Sequence, residues 1–178
     1  MRKLLPIGFA IAICASLGVA AYVSARPAVA GWREIAWPFP RDGWPAGRAF
    51  RCGTALCGGK IELYLRPKVG FCNCDTGVAD DDEVDRVADL DLVSEHFRAL
   101  EPGEALQIAG MAGRMRNYDL KMPDGSRRAA VGMAVSRRCD LMVAAAHGKI
   151  SAPNLQRATL DFLKTNAMTG WMHGALGG

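Results

Sequence analysis

Residues 50–85 read FRCGTALCGGKIELYLRPKVGFCNCDTGVADDDEVD. They hold four of the six cysteines and the densest acidic run of the chain. In 60–66 the apolar Ile61, Leu63 and Leu65 alternate with Glu62, Tyr64 and Arg66, the period of a half-buried strand. Residues 47–52 form a second strand-like segment, and Gly53-Thr54-Ala55-Leu56 lies between Cys52 and Cys57. A Cys52–Cys57 bridge would clamp this hairpin, because Cα separations of about 5.5 Å suit both paired strands and disulfides.

Closely spaced cysteines in an export-competent chain read first as a disulfide framework. Zinc is the competing reading, but its ligands usually come as two short-spaced pairs. Here Cys52-x4-Cys57 is wider than the common knuckle and Cys72-x-Cys74 is tighter. Redox chemistry needs an electropositive setting that lowers a thiol pKa, whereas Asp75 and an acidic segment follow Cys74. Setting Cys14 aside, the five cysteines Cys52, Cys57, Cys72, Cys74 and Cys139 make two bridges and one leftover thiol. Cys139 is expected to pair with Cys72 or Cys74, closing a loop of more than 60 residues. The remaining member of that pair would be a free thiol or an intermolecular link.

After Cys74 the chain is acidic, with eleven acids and two bases from Asp75 to Glu104. Asp80 suits a helix cap, Glu83 sits three residues on to reach back, and the acids complement the positive end of the helix dipole. Val84, Val87, Ala88 and Leu92 share one face, which predicts a helix over 81–93. Strand-like runs follow at 105–108, 114–122, 127–136 and 141–146, with a Pro123-Asp124-Gly125-Ser126 turn between the second and third. In 127–136, Val131, Met133 and Val135 face one way and the small Ala130, Gly132 and Ala134 the other, so something packs closely over that second face. Residues 105–149 carry eight bases and three acids, a charge complement to the acidic segment. Ser151-Ala152-Pro153 opens a last helix whose stripe is Leu155, Ala158, Thr159, Phe162 and Leu163. The expected fold is α+β: a mostly antiparallel sheet of four to six strands with two helices packed on one face, preceded by an N-terminal transmembrane or signal helix.

That N-terminal segment begins with Arg2 and Lys3 and then runs from Leu4 to Ala25, 22 residues, without a charge. About 20 apolar residues span a bilayer as a helix, whereas a secretory signal has a shorter core and a small-x-small cleavage site such as Ala28-Val29-Ala30. Trp32, Trp37 and Trp44 follow directly, and tryptophan favours the membrane interface, which points to a retained anchor. Three segments are expected: 1–30 a signal anchor or signal peptide, 31–46 a Pro/Trp-rich linker, and 47–178 a disulfide-stapled periplasmic domain. The positive-inside rule puts everything after residue 30 outside. The location is then the bacterial inner membrane facing the periplasm, or the periplasm itself if the leader is cleaved.

Without Arg2, Lys3 and Arg26, 19 bases remain against 18 acids, so the excess charge belongs to the leader and gives no argument for nucleic-acid binding. The sequence contains no G-x-S-x-G, no H-E-x-x-H and no glycine-rich phosphate loop between a strand and a helix. His96, His147 and His173 are widely separated. The acidic run at Asp75, Asp80, Asp81, Asp82, Glu83 and Asp85 offers oxygen ligands but lacks the order of a calcium loop. The tail places Met168, Trp171, Met172 and His173 within six residues, thioethers and imidazole that suit Cu(I). The same residues also read as core methionines and a helix-end aromatic. The expected function is an anchored or exported accessory protein that binds a protein partner and catalyses nothing. The alternative is a periplasmic copper-handling protein using the tail or the paired cysteines. The sequence names no cofactor.

Overall fold

The computed structural model describes residues 31–71 and 73–177. The expected leader, 1–30, and Cys72 lie outside them. Eight strands form one antiparallel sheet: β1 Trp32–Ile35, β2 Arg48–Cys52, β3 Ile61–Lys68, β4 Phe97–Ala99, β5 Glu104–Ile108, β6 Met111–Lys121, β7 Arg127–Arg137 and β8 Asp140–Gly148. The order is β1-β2-β3-β8-β7-β6, and β4 and β5 both pair with the outer side of β6. The helices among the described residues are α1 Thr54–Cys57, α2 Asp81–Val87, α3 Ala152–Leu163 and α4 Asn166–Ala175, with a 3-10 turn at Leu90–Leu92.

Two strands exceed the expected four to six. β1 lies inside the stretch read as a linker: Trp32-Arg33-Glu34-Ile35 pairs with β2, and the irregular connection is confined to residues 36–47. Trp32 supplies the reason. Its ring is buried, 4.7 Å from that of Phe162, so it is a core residue. β4 has three residues, too few to show a period. The β6–β7 hairpin turns where the composition placed it, with Gly125 at φ +79° donating its N–H to the Met122 carbonyl.

The helices do not share one face. Side-chain direction alternates along a strand, and Val131, Met133, Val135, Met142, Ala144 and Ala146 pack with Leu155, Phe162, Leu163, Met168 and Met172 of α3 and α4. The opposite face, with Ala134, Leu141 and Val143, packs against Val84, Val87 and Ala88 of the acidic segment. Tyr118, Leu120, Ala130 and Ala145 pack there against Leu90. Gly132 makes this approach possible, since a Cβ on it would stand 2.9 Å from the Ala88 Cβ and 3.0 Å from the Tyr118 ring. The small-residue face of β7 therefore lies under the acidic helix, and α3 and α4 occupy the other side.

The acidic helix is also shorter than 81–93. Asp80 caps it, accepting from the Glu83 N–H at 2.9 Å. It stops at Val87 because Asp89 turns left-handed, φ 59°, and its carboxylate is drawn to the sheet. Asp89 accepts two hydrogen bonds from Arg66, at 2.5 and 2.8 Å, and lies 2.6 Å from Lys68 Nζ. Arg66, 4% exposed, is also bonded by Asp42 at 2.7 and 2.8 Å, which ties the 36–47 connection to β3. Further along, Arg114 reaches Asp81, and Arg116 and Tyr118 share Asp85. The complementary charges of the two segments thus meet as ion pairs across this face.

Candidate functional site

The strand register defines one end of the sheet. Trp32, Cys52, Ile61, Gly148, Ala129 and Asp119 form a row across six strands. Beyond that row lie Gly31, the α1 loop, Lys60, Lys149, the β6–β7 turn and the start of β7. Two features of this end have chemical character.

The first is a polar cluster on the ionic face. Glu62 and His147 are register partners on β3 and β8. Glu62 accepts from the Tyr64 hydroxyl and from Arg51, each at 2.9 Å, and Lys60 Nζ lies 3.5 Å away. Burial works against the Glu62 charge, but the Tyr64 and Arg51 hydrogen bonds and the neighbouring positive potential outweigh it and hold the carboxyl below its ordinary pKa. Burial, then the Glu62 charge, push the Tyr64 phenol upward.

His147 is 3% exposed, and burial pushes its pKa down to about 4 against the pull of Glu62, with Arg128 and Lys60 adding to the lowering. It is neutral at pH 7. Arg128 can only donate, so its contact with Nδ1 at 3.4 Å makes that nitrogen the acceptor and puts the proton on Nε2, 3.6 Å from Glu62. The Arg128 Nε is buried without a hydrogen-bond partner. A carboxylate already saturated by Tyr64 and Arg51 is a poor general base.

The second feature is a groove of about 420 Å³ at the start of β1, the edge strand among the described residues, lined by Trp32, Leu56, Cys57, Arg157, Asp161 and Phe162 among others. Its rim is held by the Cys52–Cys57 disulfide, Cα–Cα 6.1 Å, across α1. Leu56 on that helix is 72% exposed.

The other residues singled out in the sequence are dispersed. A second disulfide joins Cys74 to Cys139 at the opposite end of the sheet, Cα–Cα 4.3 Å, spanning 65 residues. Cys72 lies outside the described residues. Met168 and Met172 are 2% and 1% exposed, facing the sheet within the core beneath α4. Trp171 is half-buried with the Arg48 guanidinium 5.3 Å from its ring, and His173 is half-buried in the last turn. Among the described residues, no group of three His, Cys, Asp or Glu side chains is arranged to hold a metal ion. In the acidic run Asp80 caps α2, Asp81 and Asp85 hold arginines, and Glu83 pairs with Arg86.

Glu62, Tyr64, Arg51, Arg128 and His147 were not singled out as a site in the sequence. The signal available was the polar face of the 60–66 alternation. The partner strand that brings His147 opposite Glu62 begins more than 70 residues later.

No family model and no curated protein matches the chain. Among solved structures it is similar to PA94 of Pseudomonas aeruginosa, a protein of unknown function, at 14% identity and TM-score 0.39, covering 80% of this chain and 84% of that one. It is also similar to cyanobacterial PsbP of Synechocystis, at 13% identity and TM-score 0.44, covering 82% and 80%. LpqN of Mycobacterium tuberculosis, described as involved in cell envelope biogenesis, matches at 12% identity and TM-score 0.33, covering 78% and 75%. The functional reading therefore rests on this chain's own residues.

Proposed function

We propose that this chain is a membrane-anchored accessory protein of the bacterial envelope whose domain faces the periplasm and binds a protein partner without catalysing a reaction. The observation that carries the reading is the pair of disulfides, Cys52–Cys57 and Cys74–Cys139, in a chain whose residues 4–25 carry no charge. Such bonds persist where thiols are not kept reduced, and an uncharged run of that length suits a retained span. Among the described residues, no helix is long and apolar enough to cross a membrane. The span is therefore assigned to the leader on its sequence alone.

Partner binding is assigned to the groove beside β1. Its exposed Leu56, the Trp32 and Phe162 floor and the position of β1 as edge strand among the described residues suit an extended segment that adds along β1 and sets an apolar side chain into the groove. The 1–30, 31–46 and 47–178 division becomes, in this reading, an anchor, a first strand with its connection, and the remainder of one domain.

The test is the intact mass and a non-reducing peptide map of protein extracted from membranes. A mass that includes residues 1–30, with both bridges formed, is expected. A mass beginning at Gly31 contradicts the anchor, and five free thiols beyond the leader contradict the exported state. Stoichiometric copper, lost on replacing Met172 and His173, would overturn the accessory reading in favour of metal handling.

A further inference from the structure

Exposed cations cluster at one end of the sheet. At the end where β1 begins, the exposed Lys60, Lys121, Arg127 and Lys149 gather around the row from Trp32 to Asp119. Lys60 and Lys149 are adjacent: a Cβ on Gly59 would stand 3.1 Å from the Lys149 carbonyl, and one on Gly148 would stand 2.7 Å from that of Lys60. Asp124 in the neighbouring turn has its pKa lowered mainly by the hydrogen bonds from Ser126, with Arg128 and Lys149 adding a smaller pull. Acids are present here too. Asp119 is taken by Arg127 and Glu62 by Arg51, while Asp124 and Glu95 stand at the margin.

The opposite end carries charges of both signs, with Arg137 and Arg138 in the β7–β8 turn. It carries the Cys74–Cys139 bridge at the β7–β8 turn, with Gly77 packed on Ser136, and the exposed Asp75, Asp80 and Asp82 around it.

Gly31, packed against Leu56 and Cys52, is where the chain enters the domain, and it does so at the basic end. Only Arg26 to Ala30 separate it from the uncharged run that ends at Ala25. Even fully extended, the steps from Ala25 to Gly31 reach about 20 Å at roughly 3.5 Å per residue. An 11-residue strand such as β6 is roughly 37 Å long at about 3.4 Å per residue. The tether is too short for the domain to turn over freely, so the basic end is held near the bilayer surface.

Resting on the anchored reading above, we infer that the basic end of the sheet is a lipid-facing surface, with Lys60, Lys121 and Lys149 against anionic phospholipid headgroups. The tether and these cations orient the domain with the β7–β8 turn and the disulfide at Cys139 away from the membrane. Each exposed lysine or arginine near an anionic surface strengthens attachment by roughly fivefold at low screening.

The test uses the full chain reconstituted in vesicles of phosphatidylcholine alone and of phosphatidylcholine with phosphatidylglycerol, read by backbone hydrogen exchange. Slower exchange is expected in residues 53–60, 122–127 and 149–151 only when phosphatidylglycerol is present, with residues 69–77 and 137–140 unchanged. The triple variant Lys60→Gln, Lys121→Gln, Lys149→Gln, altered only at exposed positions, should lose that slowing while keeping its melting temperature. A second variant, Asp75→Asn with Asp82→Asn, should keep the slowing. Identical exchange in the two vesicle types, or slowing that survives the triple substitution, overturns the inference while the anchor stands. A mass beginning at Gly31 removes the tether and overturns both.

Discussion

Both faces of the sheet pack apolar side chains, but only one adds buried ion pairs to that packing. Under α3 and α4 the sheet offers Leu, Val, Met and Ala to Leu155, Phe162 and Leu163, a contact whose strength scales with the apolar area removed from water. Under α2 and the 36–47 connection the sheet offers Glu62, Tyr64, Arg66, Lys68, Arg114, Arg116 and His147, and the covering segments answer with Asp42, Asp81, Asp85 and Asp89. The first face attracts any apolar helix of the right size. The second accepts one arrangement, because a buried cation left without its carboxylate is strongly unfavourable. The ionic face is also the one closed by the long-range disulfide, which limits how far α2 can separate from the sheet when a pair is broken.

The largest difference should come from Asp89. Asp89→Ala leaves Arg66 dependent on Asp42 alone and Lys68 with only the Val87 carbonyl and the rings of Trp44 and Phe71. The expected loss is about 4 kcal/mol in urea unfolding, and replacing Arg66 and Lys68 by Met in the same background should recover part of it. On the apolar face, Phe162→Ala removes the ring stacked on Trp32 and edged by Phe50, with an expected loss of about 3 kcal/mol. Phe162→Leu should recover much of that, as a face that counts area allows. The smallest effect is expected for Arg86→Ala, which breaks an exposed pair with Glu83 and should shift stability by less than about 0.5 kcal/mol. A loss as large as that of Asp89→Ala would mean that exposed charges on α2 matter as much as buried ones.

The apolar face was the more legible one. The alternation in 60–66 and 127–136 assigns Leu63, Leu65, Val131 and Met133 to one side, and the Leu155-to-Leu163 stripe supplies their cover. The small residues Ala130, Gly132 and Ala134 announced a close neighbour on the other side, but not that it would be the acidic segment. β1 was hidden because Trp32 sits among prolines and tryptophans that read as a linker. α4 was hidden by Gly170 and Gly174, although Met168 and Met172 keep a four-residue spacing toward the core. The polar cluster needed strand pairing: Glu62 and Tyr64 declare a polar face, whereas His147 and Arg128 reach it only through the β3–β8–β7 order. The left-handed turn at Asp89 follows from a tertiary ion pair that no local pattern in 81–93 contains.

The most direct test of the contrast between the faces is urea unfolding between pH 7.5 and pH 5 of the wild type, Phe162→Ala and His147→Phe. His147 titrates at about 4 in the fold and near its ordinary 6.5 when unfolded. Below pH 6.5 the unfolded chain therefore binds a proton that the folded chain refuses, and stability falls on acidification. Asp42, Asp81 and Glu62 have carboxyl groups lowered from ordinary values of 3.8, 3.8 and 4.5, so the stability they contribute is lost only as the pH falls further, outside this window. The wild type and Phe162→Ala should each lose about 2 kcal/mol from pH 7.5 to pH 5, their curves parallel and offset. His147→Phe should be nearly flat across the same range. Three parallel curves would contradict the account, because the pH dependence would then not come from the polar burial that distinguishes the ionic face.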